Sequence, residues 1–452
     1  MSPFRFFTTG QGAGKRQSHK PPITGAAAPA NLTASSTGLR NTIFPVQATA
    51  TAAQFKLPHY PFQPLPPANG PAPYRFDLSQ LLSADDITRI KNGTLVFQTV
   101  GDTGDARGRQ QDFVSALMTQ DANNLPAEKK PAFFYHLGDV VYFAGDIDKY
   151  GANFYETYTD YPGFVVAITG NHDCQPDDPQ DGPVDPNKVP FDGWIQNFMS
   201  TNPAQLGSLK TNSNRTQMDL PNVFWTFTTP QATIIGLCSN VGETEGEFHQ
   251  DQIDWFRGEL KAADPNLALI VTVHHPPFSG DVEHAGSSVV EQVLFDSFNA
   301  TKRYPNLILS GHVHNYQRFT NVVQNMQIPC VVAGAGGYTK LGTLHKINGK
   351  DPTVPLPLGG GLTLEQYDQT EFGFLRLEVS KNQIVGTYFA ALYSPTTVPP
   401  ANIRDSFTIY VANHTVTTGT GGGKPKPPKP KPPKPTPPKP PKPPKHKPKK
   451  KR

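Results

Sequence analysis

The sequence predicts an α/β fold, and two patterns carry this prediction. Short apolar runs rich in β-branched residues alternate along the chain with segments whose apolar residues recur at helical spacing. Five of the predicted strands end in Gly or a β-branched residue and are followed at once by Asp, Asn or His. Because ligands in open α/β sheets bind beyond the carboxyl ends of the strands, we expect these polar side chains to meet at one edge of the sheet.

The predicted elements begin with a short helix, which Ser83 caps in a Ser-x-x-Asp motif that ends at Asp86. Apolar residues at helical spacing indicate three further helices, at 113–118, 250–262 and 289–298. The last two predicted strands are expected to form a hairpin. The predicted strands are 94–100, 132–137, 164–169, 232–238, 267–273, 307–310, 328–332, 372–379 and 383–388.

Composition divides the chain into four segments. Residues 1–75 are rich in Ala, Thr, Gly and Pro without a sustained period, which is typical of a mostly disordered segment. Residues 76–92 contain the lead-in helix, and residues 93–412 contain the strands and helices of one folded domain. Residues 413–452 form a Gly-rich linker and a Lys/Pro-rich tail, in which the density of proline excludes helix and sheet.

The charge is divided between an acidic body and a basic tail. The tail, Lys424 to Arg452, contains thirteen Lys and Arg residues and no Asp or Glu. Since the whole chain has 41 basic and 37 acidic residues, residues 1–423 carry 28 against 37, a formal charge of −9. An extended cationic segment is expected to bind polyanions, such as nucleic acid or an anionic surface, with strong salt dependence. A tail that only improves solubility is the alternative.

The number of cysteines and the hydropathy of the sequence predict the cellular compartment of the protein. The cysteines Cys174, Cys238 and Cys330 are too few and too scattered for a disulfide framework or a Cys-rich zinc site, and they fit a reducing compartment. The sequence contains no run of about 18 apolar residues, so we expect no membrane span. The first 20 residues lack the apolar core of a secretory signal. The sequence therefore predicts a cytoplasmic protein without a membrane span.

The polar residues after the five strand ends are suited to binding metal ions. They combine carboxylate, phenol, amide and imidazole groups, and the set is large enough for two ions. A two-metal site needs a ligand shared between ions that lie roughly 3.5–4 Å apart. Asp139 is the candidate, because a carboxylate can bridge through its oxygens. The candidate ligands are Asp102, Asp139, Tyr142, Asn171, His274, His312 and His314.

The spacing of these residues supports the same interpretation. Side chains two residues apart on an extended chain point to the same side, so His312 and His314 can each reach one ion. Asn171 supplies a neutral oxygen, which limits the negative charge around the site. Tyr142 follows Asp139 by three residues, and its phenol is an anionic oxygen ligand once it is deprotonated.

Five motifs, in this order along the chain, resemble those of the calcineurin-like metallophosphoesterases: GDTG (101–104), GDVVY (138–142), GNHD (170–173), VTVH (271–274) and GHVH (311–314). Within that superfamily they are similar to the purple acid phosphatase branch. The ordinary superfamily member has Asp-x-His in the first motif, whereas this chain has Gly104 in place of that His. It has Tyr142 where purple acid phosphatases have a metal-bound tyrosine. A phenolate in place of an imidazole favours a harder, trivalent ion such as Fe(III).

The resemblance implies an αββα sandwich with a metal site at the carboxyl ends of the strands. It also implies that the ligands divide between two ions that share Asp139. The first ion, Fe(III), would be bound by Asp102, Asp139, Tyr142 and His314. The second ion, Fe(II), Zn(II) or Mn(II), would be bound by Asp139, Asn171, His274 and His312.

Two further histidines take catalytic roles by the same resemblance. His172 would lie just outside the metal ligands and contact the substrate phosphate, with Asp173 available to orient it. His284, ten residues after His274, would bind phosphate or protonate the leaving alkoxide.

The implied activity is metal-dependent hydrolysis of phosphate esters through a metal-bound hydroxide, as in a phosphomonoesterase of the acid phosphatase type. A phosphodiesterase that acts on nucleotides or phospholipid head groups would share the metal chemistry. The alternative from another class is a binding protein, tethered to a polyanion by its basic tail, with a vestigial site. Intact ligands at all seven positions argue against a vestigial site.

Overall fold

The computed structural model describes residues 63–104, 109–176, 187–200, 219–240 and 246–419. Residues 1–62 and the Lys/Pro-rich tail lie outside the described residues, so the disorder and the polyanion binding expected of them stay predictions. Within the described ranges, no helix combines the length and the apolar character needed to cross a membrane.

Strand positions follow the apolar runs of the sequence closely. The strand expected at 132–137 spans Phe133–His136, and the expected hairpin is formed by Phe372–Val379 and Gln383–Ala391. The strands in the described ranges are Arg75–Asp77 (β1), Leu95–Val100 (β2), Phe133–His136 (β3), Phe164–Ala167 (β4), Trp225–Thr228 (β5), Ala232–Leu237 (β6), Ala268–Val273 (β7), Leu307–Ser310 (β8), Tyr316–Val323 (β9), Met326–Ala333 (β10), Leu356–Gly359 (β11), Leu362–Asp368 (β12), Phe372–Val379 (β13), Gln383–Ala391 (β14), Asn402–Tyr410 (β15) and Thr415–Thr418 (β16).

The helices also agree with the sequence patterns. Ser83 caps the first helix, because its side chain accepts a hydrogen bond from the backbone N–H of Asp86 at 3.2 Å. The α-helices of the described ranges are Ala84–Asn92 (α1), Gln110–Asn124 (α2), Asn171–Cys174 (α3), Asp192–Phe198 (α4), Gln250–Ala262 (α5) and Ser288–Thr301 (α6). A π-helical turn spans Gly151–Glu156, and short 3-10 turns span Leu78–Gln80 and Ala127–Lys129.

The described strands form two sheets. One has nine strands in the order β1-β5-β6-β7-β8-β10-β9-β12-β11, and the other has seven in the order β16-β15-β14-β13-β2-β3-β4. The neighbours β6, β7 and β8 are parallel in the first sheet, and β2, β3 and β4 are parallel in the second. The strands β1 and β16, which pair with β5 and β15, lie on either side of residues 93–412.

The two sheets face each other across a shared core, with helices on their outer sides. Successive residues of one strand alternate between layers: Ile234 belongs to the core between the sheets, whereas Ile235 belongs to a second core beneath α5 and α6. Between the sheets, the hydroxyls of Tyr135 and Thr272 form a hydrogen bond of 2.7 Å. Helix α2 lies against β13 of the seven-stranded sheet. This arrangement confirms the αββα sandwich.

The motif-bearing strand ends come from both sheets. In the seven-stranded sheet, β2, β3 and β4 lead to Asp102, Asp139 and Asn171. In the nine-stranded sheet, β7 and β8 lead to His274 and His312. The expectation of a single sheet edge was wrong, because local apolar patterns do not report which strands pair. The candidate site lies instead where the carboxyl ends of two facing groups of parallel strands meet.

Candidate metal centre

Three of the candidate ligands have left-handed backbone directly after a strand or its closing glycine. The φ angle is +60° at Asp102, +54° at Asp139 and +67° at His312. These side chains are also buried, with exposed fractions of 0%, 1% and 3%. Non-glycine residues adopt positive φ at an energetic cost, and such residues cluster at functional sites. The backbone is therefore strained where the polar side chains converge.

Tyr142 lies at the centre of the first group of candidate ligands. Its hydroxyl oxygen is 2.9 Å from Asp139 Oδ2 and 3.3 Å from Asp102 Oδ1. His314 Nε2 lies 3.3 Å from the same hydroxyl and 3.8 Å from Asp102 Oδ1. The four residues assigned to one ion by the resemblance thus present their oxygen and nitrogen atoms to one small volume.

A second group of candidate ligands shares Asp139 with the first. His274 Nε2 is 3.3 Å from Asp139 Oδ2 and 3.2 Å from Asn171 Oδ1. His312 Nδ1 is 3.1 Å from the same Asn171 oxygen. Ligand atoms of Asp139, His274 and His312 all lie within 4.8 Å of one another. The Oδ2 atom of Asp139 is common to both groups, which is the position that a bridging ligand requires.

His274 needs a cation between its ring and the neighbouring oxygens. Its Nδ1–H donates to the carbonyl oxygen of Leu137 at 2.8 Å, so Nε2 carries the lone pair of the neutral ring. That lone pair faces oxygen atoms of Asp139 and Asn171. Burial lowers the pKa of His274, but the charge of Asp139 and a hydrogen bond to it outweigh burial and raise the pKa to about 9. Either a proton or a metal ion lies there, and a metal ion would displace the proton.

The buried carboxylate of Asp102 is also short of positive charge. Burial raises the pKa of Asp102 well above its ordinary value; His274 opposes this, and the charge of Asp139 adds to it. The Oδ2 atom of Asp102 is buried and has no hydrogen-bond partner among the described residues. Because a buried polar atom without a partner is costly, this oxygen fits a metal ligand better than a structural carboxylate.

His312 and His314 have the protonation state that metal binding requires, whereas Tyr142 would have to lose a proton. Burial and the neighbouring imidazoles lower the pKa of His312 and of His314 well below the ordinary value, so both rings are neutral. Neutral imidazole is the form that binds metals. Burial and the charge of Asp139 raise the pKa of Tyr142 well above its ordinary value. Deprotonation of this phenol therefore requires a cation at its oxygen.

Position 104 has no room for the histidine that other superfamily members carry. A Cβ atom on Gly104 would lie 2.1 Å from the carbonyl oxygen of Val140 and 2.6 Å from the Cα of Val141. Backbone of the second motif thus packs directly against the first motif at this position. The segment that brings Tyr142 into the site therefore packs on Gly104 so closely that it excludes a side chain there.

His172 lies beside the two groups and is partly exposed. Its backbone N–H donates to Asp139 Oδ1 at 3.0 Å, and its ring centroid is 4.4 Å from that of Tyr142. Its Nδ1 is 2.8 Å from the carbonyl oxygen of Phe143, which fixes the proton on Nδ1. The ring nitrogen left to meet an incoming ligand is Nε2.

Asp173 does not orient His172, contrary to the sequence-based expectation. Its Oδ1 accepts hydrogen bonds from the backbone N–H groups of Val140 and Val141, at 3.0 and 3.3 Å. Its Oδ2 accepts one from the N–H of Gly170 at 2.8 Å. This buried carboxylate therefore joins the second motif to the third and fixes the loops that carry two candidate ligands.

His284 lies beside the candidate ligands His312 and His314 and is also partly exposed. Its ring centroid is 4.8 Å from that of His312 and 5.2 Å from that of His314. The loop that carries it is held by Asp281, whose Oδ1 accepts the backbone N–H groups of Glu283 and His284 at 2.8 and 3.0 Å. The structure thus brings all nine sequence-predicted site residues together.

Two residues next to the candidate ligands, Asp281 and Tyr338, were not predicted from the sequence. Asp281 is buried and orders the His284 loop, and Tyr338 lies over His314 with ring centroids 4.2 Å apart. Asp281 follows a Ser-Gly pair in a segment of turn-forming residues, a signal that marks a turn but not its target. Tyr338 ends the Gly-Ala-Gly-Gly-Tyr segment at 334–338, whose glycines are typical of a turn or a close backbone approach but do not show what the tyrosine contacts.

A family model matches the part of the chain that holds the candidate site. The model of the calcineurin-like phosphoesterase family matches residues 99–316, which include all nine candidate residues. Among solved structures, the chain is similar to GAP50, the anchor in the inner membrane complex of Plasmodium, with 15% identity, coverage of 69% of this chain and 88% of that one, and a TM-score of 0.47.

Two plant proteins are similar to part of the chain. Purple acid phosphatase 21 of Arabidopsis thaliana is 26% identical over 147 residues, which are 30% of this chain and 30% of that protein. Purple acid phosphatase 22 of the same plant is 27% identical over 142 residues, again 30% of each chain. The chain therefore spans about 30% of the length of these relatives. From the family match, residues 99–316 form a calcineurin-like phosphoesterase domain, and the relatives show that part of the chain is similar to the purple acid phosphatase branch.

Proposed function

We propose that this protein is a metal-dependent phosphomonoesterase with a dinuclear centre. The observation that carries the proposal is the position of Asp139 Oδ2, which lies 2.9 Å from the Tyr142 hydroxyl and 3.3 Å from His274 Nε2. One carboxylate oxygen is therefore shared by two buried groups of metal-binding side chains. A structural role alone would leave Asp102 Oδ2 without a partner in the described residues.

The chemistry of the two groups favours different ions. The group with a phenol and two carboxylates suits a hard trivalent ion, and we assign Fe(III) to it. The group with one carboxylate, one amide and two imidazoles suits a divalent ion, and we assign Fe(II), Zn(II) or Mn(II) to it. The first group is Asp102, Asp139, Tyr142 and His314, and the second is Asp139, Asn171, His274 and His312.

The bound ions would supply Lewis-acid activation of the phosphate ester and of a water molecule. The residues at the mouth of the site would orient the substrate. His172, with Nδ1 held by the Phe143 carbonyl, directs Nε2 to a phosphate oxygen. His284, beside His312 and His314, binds the phosphate or gives a proton to the leaving oxygen.

The test is phosphate release from an aryl phosphate monoester by metal-loaded protein. We expect Asp139→Asn to lower kcat/KM by at least about a thousandfold, because Lewis-acid stabilisation worth several kcal/mol is lost. The matched control is Asp254→Asn, since Asp254 is exposed on α5 and should leave activity unchanged. Activity retained in Asp139→Asn would exclude the bridging role. A wild-type protein that cleaves diesters faster than monoesters would instead be a phosphodiesterase.

A further inference from the structure

The buried candidate ligands are surrounded by a mouth of partly exposed rings. On two sides of the mouth stand the imidazoles of His172 and His284, which can bind a phosphate. The aromatic rings of Phe143 and Tyr338 form a third side, and they are partly exposed as well. Neither aromatic ring has a function in the metal chemistry proposed above.

Ring contacts join these side chains into one continuous surface. The Tyr338 ring lies tilted on His314, with centroids 4.2 Å apart, and perpendicular to Phe143, with centroids 6.1 Å apart. Phe143 is in turn 6.1 Å from His172. The aromatic pair therefore links a candidate metal ligand, His314, to a candidate phosphate-binding imidazole, His172.

The backbone holds Tyr338 in this place. Gly337 has a φ of +128°, and a Cβ there would lie 2.4 Å from the backbone nitrogen of Gln111, so only glycine fits the bend. The next N–H, of Tyr338, donates to the carbonyl oxygen of Asp102 at 3.0 Å. The backbone of Tyr338 is thus hydrogen-bonded to the backbone of Asp102, which is itself a candidate ligand. A rigid anchor lowers the entropy cost of presenting the ring to a ligand.

We propose that Phe143 and Tyr338 bind the ester group of the substrate and make the site selective for flat, aromatic phosphate monoesters. The inference rests on the proposed phosphomonoesterase function and names its substrate class. An aromatic ring in the mouth can stack on Tyr338 or meet Phe143 edge to face, as aromatic rings prefer. A small alkyl ester gains neither contact.

Binding of two phosphonates tests this selectivity without interference from the leaving group. Phenylphosphonate and methylphosphonate carry the same anionic head, and calorimetric titration of metal-loaded protein gives the Kd of each. We expect wild-type protein to prefer phenylphosphonate, and Tyr338→Ala or Phe143→Ala to reduce that preference by about threefold to tenfold each. Tyr338→Phe keeps the ring and should keep the preference. Tyr410→Ala is the matched control, because Tyr410 is 41% exposed on β15.

Metal content and phosphate release, measured on the same samples, separate the outcomes. Equal Kd values for the two phosphonates in wild type would overturn the inference, and so would a Tyr338→Ala protein with full metal content and unchanged preference. Loss of metal in Tyr338→Ala would show that this ring supports the metal centre. The ratio of the two phosphonate Kd values in Phe143→Ala would then decide whether the aromatic pair makes the site selective. Failure of the proposed function has a different signature: metal-loaded wild type binds phosphonates but releases no phosphate from any ester.

Discussion

Tyr142 is the residue that distinguishes this site from the ordinary sites of its superfamily. Its hydroxyl contacts Asp139 Oδ2 and Asp102 Oδ1, and it is buried where burial and carboxylate charge both favour the protonated phenol. Gly104 leaves no space for an alternative ligand, since the Val140 carbonyl occupies the position of a side chain. The phenol is therefore either an inert hydrogen-bond donor or a metal ligand, and these two states differ in visible absorption.

For Tyr142→Phe we expect loss of the visible tyrosinate-to-Fe(III) charge-transfer band, because the substitution removes the phenol oxygen and keeps the ring. The measurement is the absorption spectrum of iron-loaded protein, with Tyr410→Phe as the control at an exposed tyrosine. A band of equal strength in Tyr142→Phe would contradict ligation by this residue. Wild-type protein that is colourless as purified and holds two Zn(II) or Mn(II) ions would contradict the assignment of Fe(III).

At the scale of elements, the site depends on loops that buried carboxylates hold in place. Asp173 joins the second and third motifs by three backbone hydrogen bonds. Asp281 orders the His284 loop by two, and its Oδ2 accepts a further bond from Asn315 Nδ2 at 3.1 Å. Since Asn315 directly follows His314, the His284 loop is tied to the strand end that supplies two candidate ligands.

Asp281 is expected to act through His284 as a positioning residue. His284→Ala should lower kcat by about 10²–10⁴, the range for loss of a general acid or base. Asp281→Ala should lower it less in the wild-type background, and not at all further once His284 is already alanine. Asp281→Asn keeps an oxygen acceptor for the loop N–H groups but loses the bond from Asn315, so it should restore turnover in part. Additive losses in the double variant would show that Asp281 acts independently of His284.

Sequence patterns predicted most of these elements because each depends on local information. The helix Gln250–Ala262 and the strand Leu307–Ser310 have the bounds that apolar periodicity indicated. The candidate ligands were found because each follows a buried strand directly or within a short turn. The contacts of Tyr338 and Asp281 could not be predicted, because they depend on how two loops fold over a site built by distant segments.

At the scale of the whole molecule, the site is a product of sheet packing. The loops after β2, β3 and β4 meet those after β7 and β8 only because the two sheets face each other across one core. Local patterns could not assign strands to sheets, and β1 pairs with β5 although about 150 residues separate them in sequence. The buried ion pair of Arg318 and Asp405, at 2.6 Å, joins β9 to β15 and adds a polar link between the sheets.

The central claim is that two facing sheets build one site for two metal ions, bridged by Asp139. Elemental analysis of reconstituted protein, expressed as metal ions per chain, tests it most directly. We expect two ions per chain for wild type and for the Asp254→Asn control, and one or fewer for Asp139→Asn, because the ligand common to both groups is lost. One ion or none in wild type, or two ions retained in Asp139→Asn, would contradict the account.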